Sequence, residues 1–392
     1  MTAPASKFPA VWTDALAVSK QFQPEEAVFC FASGELKSRL KLFVTGFPGL
    51  VSFAVKANPA SEVIAALAEA GLKHWDVASV HEMKLVQAIS PKAKFHYHNP
   101  VKSKREISDA YHIHGCRRFA VDCREEVRKI ADAAGQDRSV ELAVRFVLPR
   151  ERTSSAHDFS TKFGAPEHIA VELLQDAHRR GFVPMLTFHP GSQSRDPQVY
   201  VRHIEAAHRI AKISGVHIGK LNVGGGFPAA YPLSQPAPLD DYFTAISEAV
   251  TRNFGKGTEP VLECEPGRGL AANSMSLLTK VKLVCSDGDD IFINDGVYGG
   301  LMEFMQVPEL QPPHRVIRDG KVLTGATKAW KVFGPTCDPL DVLPHRLDLP
   351  ADIKDDDFIE FGTLGAYGIA TSTHFNGYGS HEIVAVGSAF NG

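Results

Sequence analysis

The chain has 392 residues, 44% hydrophobic and 22% charged, and its 42 lysines and arginines stand against 45 aspartates and glutamates for a formal net charge of −3. That composition excludes a disordered or fibrous chain and suits two domains, or one barrel with an addition. The near-balance of charge leaves no basic footprint for nucleic acid or an anionic membrane, so a small molecule is the expected ligand.

The segment Met1 to Lys20 carries Asp14 and no apolar run of signal-peptide length. No stretch approaches the ~20 apolar residues of a membrane span, and a cytoplasmic location is expected. Val28–Phe31 (VFCF) reads as a strand. From about residue 37 to 270, short β-branched or apolar runs alternate with amphipathic helical stretches, the sign of repeated βα units. Eight runs are countable: Val51–Val55, Trp75–Ala78, Lys94–Tyr97, Phe119–Asp122, Leu142–Phe146, Met185–Phe188, Leu221–Val223 and Val261–Cys264. Helical patterns such as Ser61–Ala70, Glu125–Ala134 and His168–Arg179 separate them, each ending near a glycine suited to a left-handed cap. The expectation is an α/β chain with a TIM-type (β/α)8 barrel over 37–270, a doubly wound open sheet being the alternative with the same alternation. After about Ala271 the texture turns to strands without long helices: Leu277–Val284, Asp290–Asn294, Trp330–Phe333, Phe358–Phe361 and His381–Val386. Residues 1–36 and 271–392 are therefore assigned to a second, mainly β domain of sandwich or barrel type, with Val28–Phe31 joining its sheet. Pro232–Pro238 and Pro308–Pro313 read as ordered loops.

Polar residues just after the strands of a βα barrel stand at its functional rim. The first strand runs into Lys56-Ala57-Asn58-Pro59, and a desolvated lysine there suits Schiff-base formation with an aldehyde. A surface lysine on an edge strand explains the same peptide equally well. The seventh strand ends in Gly224-Gly225-Gly226, a phosphate cradle if successive N–H groups converge and a plain turn if they do not. The eighth ends in Glu265-Pro266-Gly267-Arg268, offering a carboxylate for a protonated heterocycle and a guanidinium for phosphate, or an internal Glu–Arg pair. The sixth ends in His189-Pro190-Gly191-Ser192, where an imidazole can stack on a flat ring and a hydroxyl can reach a phosphate; a structural histidine is the plainer reading. His96, His98, His112 and His114 have no companion carboxylate or cysteine spacing, so they read as structural or supporting residues and no metal is expected. The six cysteines (Cys30, Cys116, Cys123, Cys264, Cys285, Cys337) lack CxxC pairing and read as reduced thiols.

Eleven segments in order, FAVKANP, DVASVHE, HNPVKS, FAVDCREEV, KFGAP, FHPGSQ, NVGGGFP, EPGRG, NDGVYGG, GPTCDPLD and GAYG, resemble the fold-type III pyridoxal-phosphate decarboxylases, the group of ornithine and lysine decarboxylases. The resemblance spans nearly the whole chain. It implies that Lys56 holds pyridoxal 5'-phosphate covalently, with Asp76 and Glu82 as nearby carboxylates and Arg145 close to the ring. It implies that His189 stacks on the ring, that Ser192, Gly224, Gly225, Gly226, Gly267, Arg268 and Tyr367 bind the phosphate, and that Glu265 meets the ring nitrogen. An anion there keeps that nitrogen protonated, whereas the related alanine racemases carry arginine. The resemblance further implies a homodimer with shared active sites, in which Cys337 and Asp338 come from the partner chain; read alone, they suit a buried thiol and a loop or cap residue.

The activity so implied is decarboxylation of ornithine or lysine to putrescine or cadaverine, with Cys337 as proton donor and Asp338, Tyr298 and Glu303 facing the substrate. One departure stands out. The position where the family carries a second substrate-binding aspartate aligns with Gln306 or Val307, leaving Glu303 as its substitute. Without that substitute, arginine or a modified basic amino acid becomes the alternative substrate, and a non-catalytic decarboxylase-like protein is the remaining one.

Overall fold

The structure, a computed structural model, describes residues 11–149, 162–379 and 382–390. Its first sheet is closed by a break. The opening barrel strand is interrupted at Ser52, so that Gly49–Val51 pairs in parallel with Val261–Cys264 while Phe53–Ala54 pairs with His74–Val77. Ser52 sends its N–H and its hydroxyl to the Cys264 carbonyl, at 3.0 and 3.1 Å. Between these halves the order runs through Lys94–Tyr97, Arg118–Val121, Glu141–Arg145, Val183–Thr187 and Lys220–Asn222. The ring is an eight-stave (β/α)8 barrel rather than an open sheet, and each stave falls within a few residues of an expected run.

Local chemistry explains the helices between the staves. Ser79 caps Val80–Ile89 by accepting the Glu82 N–H, and Ser103 with Glu106 forms a reciprocal capping box on Lys104–His112. Ser61–Glu69, Arg124–Ala134 and Glu167–Arg179 are followed by Gly71, Gly135 and Gly181 at φ of +91°, +60° and +81°. Inside the barrel, the residues near the N-terminal ends of the strands form a charged group. Arg118 reaches Glu141 and Glu263 at 2.5 Å each and His96 at 3.1 Å, and Lys220 joins Glu141. Ala120, Ala143 and Met185 pack one step further along their strands. The two alanines at that level leave room above them, and Ala120 lines the cavity at the C-terminal ends of the strands.

Compact division assigns Leu40–Pro228 and Pro236–Leu270 to the barrel unit. The described residues up to Arg39, Ala229–Gln235 and those from Ala271 onward form the other; Ala229–Gln235, expected within the barrel span, groups with the β-rich unit. The β-rich unit is built on Met275–Val284, which pairs with Phe358–Phe361 and, after a register shift between Val281 and Leu283, with Asp290–Ile293. Val28–Phe31 lies antiparallel to its start and parallel to Glu382–Ala385, as expected of it; His381 lies outside the described residues. Three strands escaped the sequence reading: His314–Arg318, Lys321–Val322 and Leu347–Pro350. They are short, and charged or proline-bearing, so they lack a period-two signal. Pro308–Leu310, expected as loop, is a 3₁₀ turn. Among the described residues no helix is long and apolar enough to cross a membrane.

Candidate active site

The C-terminal ends of the barrel strands enclose a cavity of about 270 Å³, lined by Lys56, Asp76, His98, Arg145, His189 and Glu265 among others. Lys56 departs from expectation in one respect. The strand stops at Ala54, Val55–Ala57 forms a 3₁₀ turn before Asn58-Pro59, and the Lys56 side chain is exposed rather than desolvated. The turn lifts the amine out of the packed interior to the lining of the cavity.

The glycine run forms a cradle, with a division of labour the sequence did not suggest. Gly224 and Gly226 take φ of +70° and +88° on either side of Gly225. The Gly224 N–H is already committed to Asn222 Oδ1 at 2.7 Å, whereas those of Gly225 and Gly226 have no hydrogen-bond partner among the described residues. Gly224 instead permits close approach, since a Cβ there would stand 2.1 Å from the Phe188 carbonyl oxygen. On Gly226 a Cβ would stand 2.5 Å from the Gly191 carbonyl, and on Gly267 2.9 Å from the Ala57 Cβ. Arg268 Nη2 donates to Ser192 Oγ at 3.4 Å, which brings the two expected phosphate contacts together across 76 residues.

Glu265 is not paired with Arg268. Its Oε1 accepts from His98 Nδ1 and from Asn222 Nδ2, and Asp76 Oδ1 lies 3.6 Å from the same His98 nitrogen. Burial pushes Glu265 toward protonation, but His98, Lys56 and Asn222 outweigh it and hold the carboxyl below its ordinary range. Asp76 moves the other way, raised by burial and by Glu265. His98 is held above its usual value because Glu265 and Asp76 overcome its desolvation. His98, which the linear spacing marked as structural or supporting, therefore belongs to the site; its carboxylate companions come from other strands. Asn222 supplies a donor to this group, which suits a carboxylate held ionised for a cationic ring nitrogen.

His189 accepts the Gly191 N–H on Nδ1 at 3.1 Å, which puts its proton on Nε2. Burial, with the Lys56 and Arg145 charges, pushes it well below the usual value, so it is a neutral flat ring. Arg145 lies over the Phe163 ring, 5.4 Å from its centroid. Glu82 binds the Ala78 N–H at 2.6 Å and serves as a helix-cap partner.

The remaining expected residues lie in the β-rich unit. Tyr298 donates its hydroxyl to Asp338 Oδ2 at 2.7 Å, and Asp338 Oδ1 accepts the Leu340 N–H at 2.9 Å. Cys337 is exposed, not a core thiol, and its Sγ and N–H both meet Asn376 Oδ1, at 3.3 and 3.1 Å. Tyr367 holds a left-handed φ of +64°, a costly conformation for a bulky residue. Glu303 is buried in the short helix Met302–Gln306, and Val307 is apolar and buried, so neither Gln306 nor Val307 supplies the missing acid. Three supporting residues went unnoticed. Asp341 accepts from the Val297 and Thr336 N–H groups, tying together the loops of Tyr298 and Cys337. Lys102 buries its ammonium among the Asn99, Pro100 and Ala120 carbonyls at 2.7–3.0 Å, fixing the loop after His98. Asn222 was visible only as the first letter of NVGGGFP.

A barrel whose rim joins an amine, an anion cradle and a carboxylate held ionised defines a site for a phosphorylated aldehyde with a basic ring. The comparisons agree. Residues 33–272 match the family described as "Pyridoxal-dependent decarboxylase, pyridoxal binding domain". The chain is 32% identical over 338 residues to the lysine/ornithine decarboxylase of Selenomonas ruminantium, covering 84% of this chain and 81% of that one. It is 29% identical over 383 residues to the chloroplastic ornithine decarboxylase of Nicotiana glutinosa, covering 94% and 85%. A solved structure of SrLDC in complex with PLP and cadaverine superposes with a TM-score of 0.81 at 27% identity, covering 94% of this chain and 92% of that one. The chain belongs to the pyridoxal-dependent decarboxylases, and as such it is a carboxy-lyase whose cofactor is pyridoxal 5'-phosphate.

Proposed function

We propose that this enzyme decarboxylates a basic L-amino acid, ornithine or lysine, to putrescine or cadaverine and CO2, as a homodimer whose active sites take residues from both chains. The observation that carries the substrate class is Asp338, a carboxylate oriented by Tyr298 on one oxygen and the Leu340 N–H on the other, as a distal ammonium requires. The relatives named above act on lysine or ornithine, which supports the same class.

In this reading Lys56 holds the cofactor through its aldehyde carbon. Ser192, Gly224, Gly225, Gly226, Gly267, Arg268 and Tyr367 hold its phosphate, with Gly224 contributing shape rather than its N–H. When bound, the cofactor supplies an electron-poor ring that takes up the electron pair left by the departing carboxylate. The chain's own groups do the rest. Glu265 keeps a proton on the ring nitrogen, assisted by Asp76 nearby. The neutral His189 ring covers one face of the cofactor without adding a charge that would compete with that proton. Arg145 lines the same cavity as Lys56 and Glu265 and places a fixed cation beside the cofactor site. The Cys337 thiol, oriented by Asn376, would deliver a proton to the α-carbon, and the Lys56 amine is the group that would hold the cofactor between turnovers. Asp338 and Tyr298 set the distance to the distal ammonium, and Glu303 is the second acidic candidate in the same unit.

Mass spectrometry of products from ornithine, lysine, arginine and diaminopimelate tests the assignment. Putrescine or cadaverine is expected, while agmatine alone would transfer the assignment to arginine, consistent with Gln306 or Val307 where an acid was expected. Mixing Lys56→Ala and Cys337→Ala chains should restore turnover through hybrid dimers; no recovery despite proven subunit exchange would remove the shared site.

A further inference from the structure

We infer that His98 is a positioning residue for Glu265: it holds Oε1 and thereby presents Oε2 to the ring nitrogen of the cofactor. The inference rests on the cofactor assignment above and adds a residue to it.

The starting point is the cost of an ionised carboxylate in a closed barrel. Glu265 is 6% exposed, and a carboxylate so buried takes a proton unless donors face it. Two donors do. Asn222 cannot turn its carbonyl to Glu265, because Oδ1 is engaged by the Gly224 N–H; the amide nitrogen must point to the carboxylate. His98 Nδ1 meets the same oxygen. Both donors converge on Oε1, and Oε2 has no hydrogen-bond partner among the described residues. A carboxylate held by one oxygen from two sides keeps a fixed direction and a free second oxygen. That is the arrangement a monodentate partner such as a pyridinium N–H needs.

Two carboxylates face the His98 ring and favour its protonated form over the neutral one. Asp76 and Glu265 flank it, with ligand atoms of the three residues within 4.8 Å of one another. The charged groups around this trio include Arg118 and Glu263 toward the barrel floor and Lys56 and Arg145 toward the mouth. Of the two carboxylates, Glu265 gains the two donors, so the negative charge stays on it. The backbone carrying His98 is itself braced, since its N–H bonds the Val77 carbonyl at 3.1 Å and Lys102 ties down the following residues. His98 Nε2 is buried with no hydrogen-bond partner among the described residues. A leucine would avoid that cost, which argues that the imidazole is kept for what Nδ1 does and not for stability.

The test compares two probes on apoprotein by equilibrium dialysis: pyridoxal 5'-phosphate and its 1-deaza analogue, in which carbon replaces the ring nitrogen. Wild-type protein should prefer the natural cofactor. His98→Ala should weaken that cofactor on the order of tenfold or more, as expected for a charge-assisted hydrogen bond, and leave the deaza analogue within a factor of about two. His98→Asn, which returns a neutral donor near the Nδ1 position, should recover part of the preference, and it carries the comparison if the alanine variant does not fold. Unchanged affinity for the natural cofactor, or equal loss for both probes, overturns the inference. Failure of the wild-type protein to bind either probe would overturn the cofactor assignment itself, and the two failures are distinct.

Discussion

Gly224→Ala separates a phosphate cradle from an ordinary turn. The new Cβ would stand 2.1 Å from the Phe188 carbonyl oxygen, 0.9 Å inside the 3.0 Å that real Cβ contacts respect. Neither side can yield alone. The Phe188 N–H is tied to the Asn222 carbonyl, the Gly226 carbonyl accepts the Ser194 N–H, and Tyr200 donates to the Gly225 carbonyl at 2.8 Å. A shift of that size also carries Asn222 off Glu265 and moves His189, so the cofactor loses several contacts together. Loss of two or three hydrogen bonds to the charged cofactor, at about 1.5 kcal/mol each, costs on the order of a hundredfold or more in its affinity. Left-handed strain adds about 1 kcal/mol to the folding cost. Gly71→Ala is the control, because Gly71 has a φ of +91° and a Cβ on it meets nothing within 4 Å. Both variants should lose thermal stability from backbone strain, Gly224→Ala more because of its clash, and only Gly224→Ala should lose cofactor affinity by dialysis. Equal cofactor binding by wild type and Gly224→Ala would refute the cradle.

Two further outcomes follow from side chains on either unit. His203 stacks on Phe188 at 4.7 Å, and burial holds it down to about 4 from 6.5, so the folded state resists a proton that the unfolded chain accepts. Its contribution to stability is full above pH 6.5 and is lost as pH falls to about 4, by about 3 kcal/mol. His203→Phe should flatten that part of the decline in urea unfolding between pH 7 and 4; an unchanged slope would exclude His203 as its source. Tyr298→Phe removes the hydroxyl that orients Asp338 and should raise KM for the basic amino acid severalfold with little change in kcat. A fall in kcat at constant KM would place Tyr298 in the chemistry instead.

The barrel was legible because parallel strands buried on both faces read as continuous apolar runs, bounded by helices with caps and glycine stops. Lys56, Gly225, Ser192, Arg268 and Glu265 were legible because a barrel concentrates chemistry after its strands. His98 was not, since its partners Asp76 and Glu265 lie on other strands and no linear spacing joins them. The exposure of Lys56 was missed for a local reason, the 3₁₀ turn before Pro59. Asp341 carried no signal, because its N–H donors come together from two loops only in the folded chain. The function of Gly224 reversed: the residue that looked like an N–H donor to phosphate spends that N–H on Asn222.

The break at Ser52 has a consequence for biogenesis. The stave that bears Lys56 is also the seam of the ring, and Ser52 finds its acceptor 212 residues downstream at Cys264. A nascent chain can assemble the intervening units while the seam stays open, because the last stave must emerge before the first has neighbours on both sides. Glu265 follows that last stave directly, so the amine and the carboxylate meet only at closure. The cavity that both groups line is thus complete only when the seam is shut.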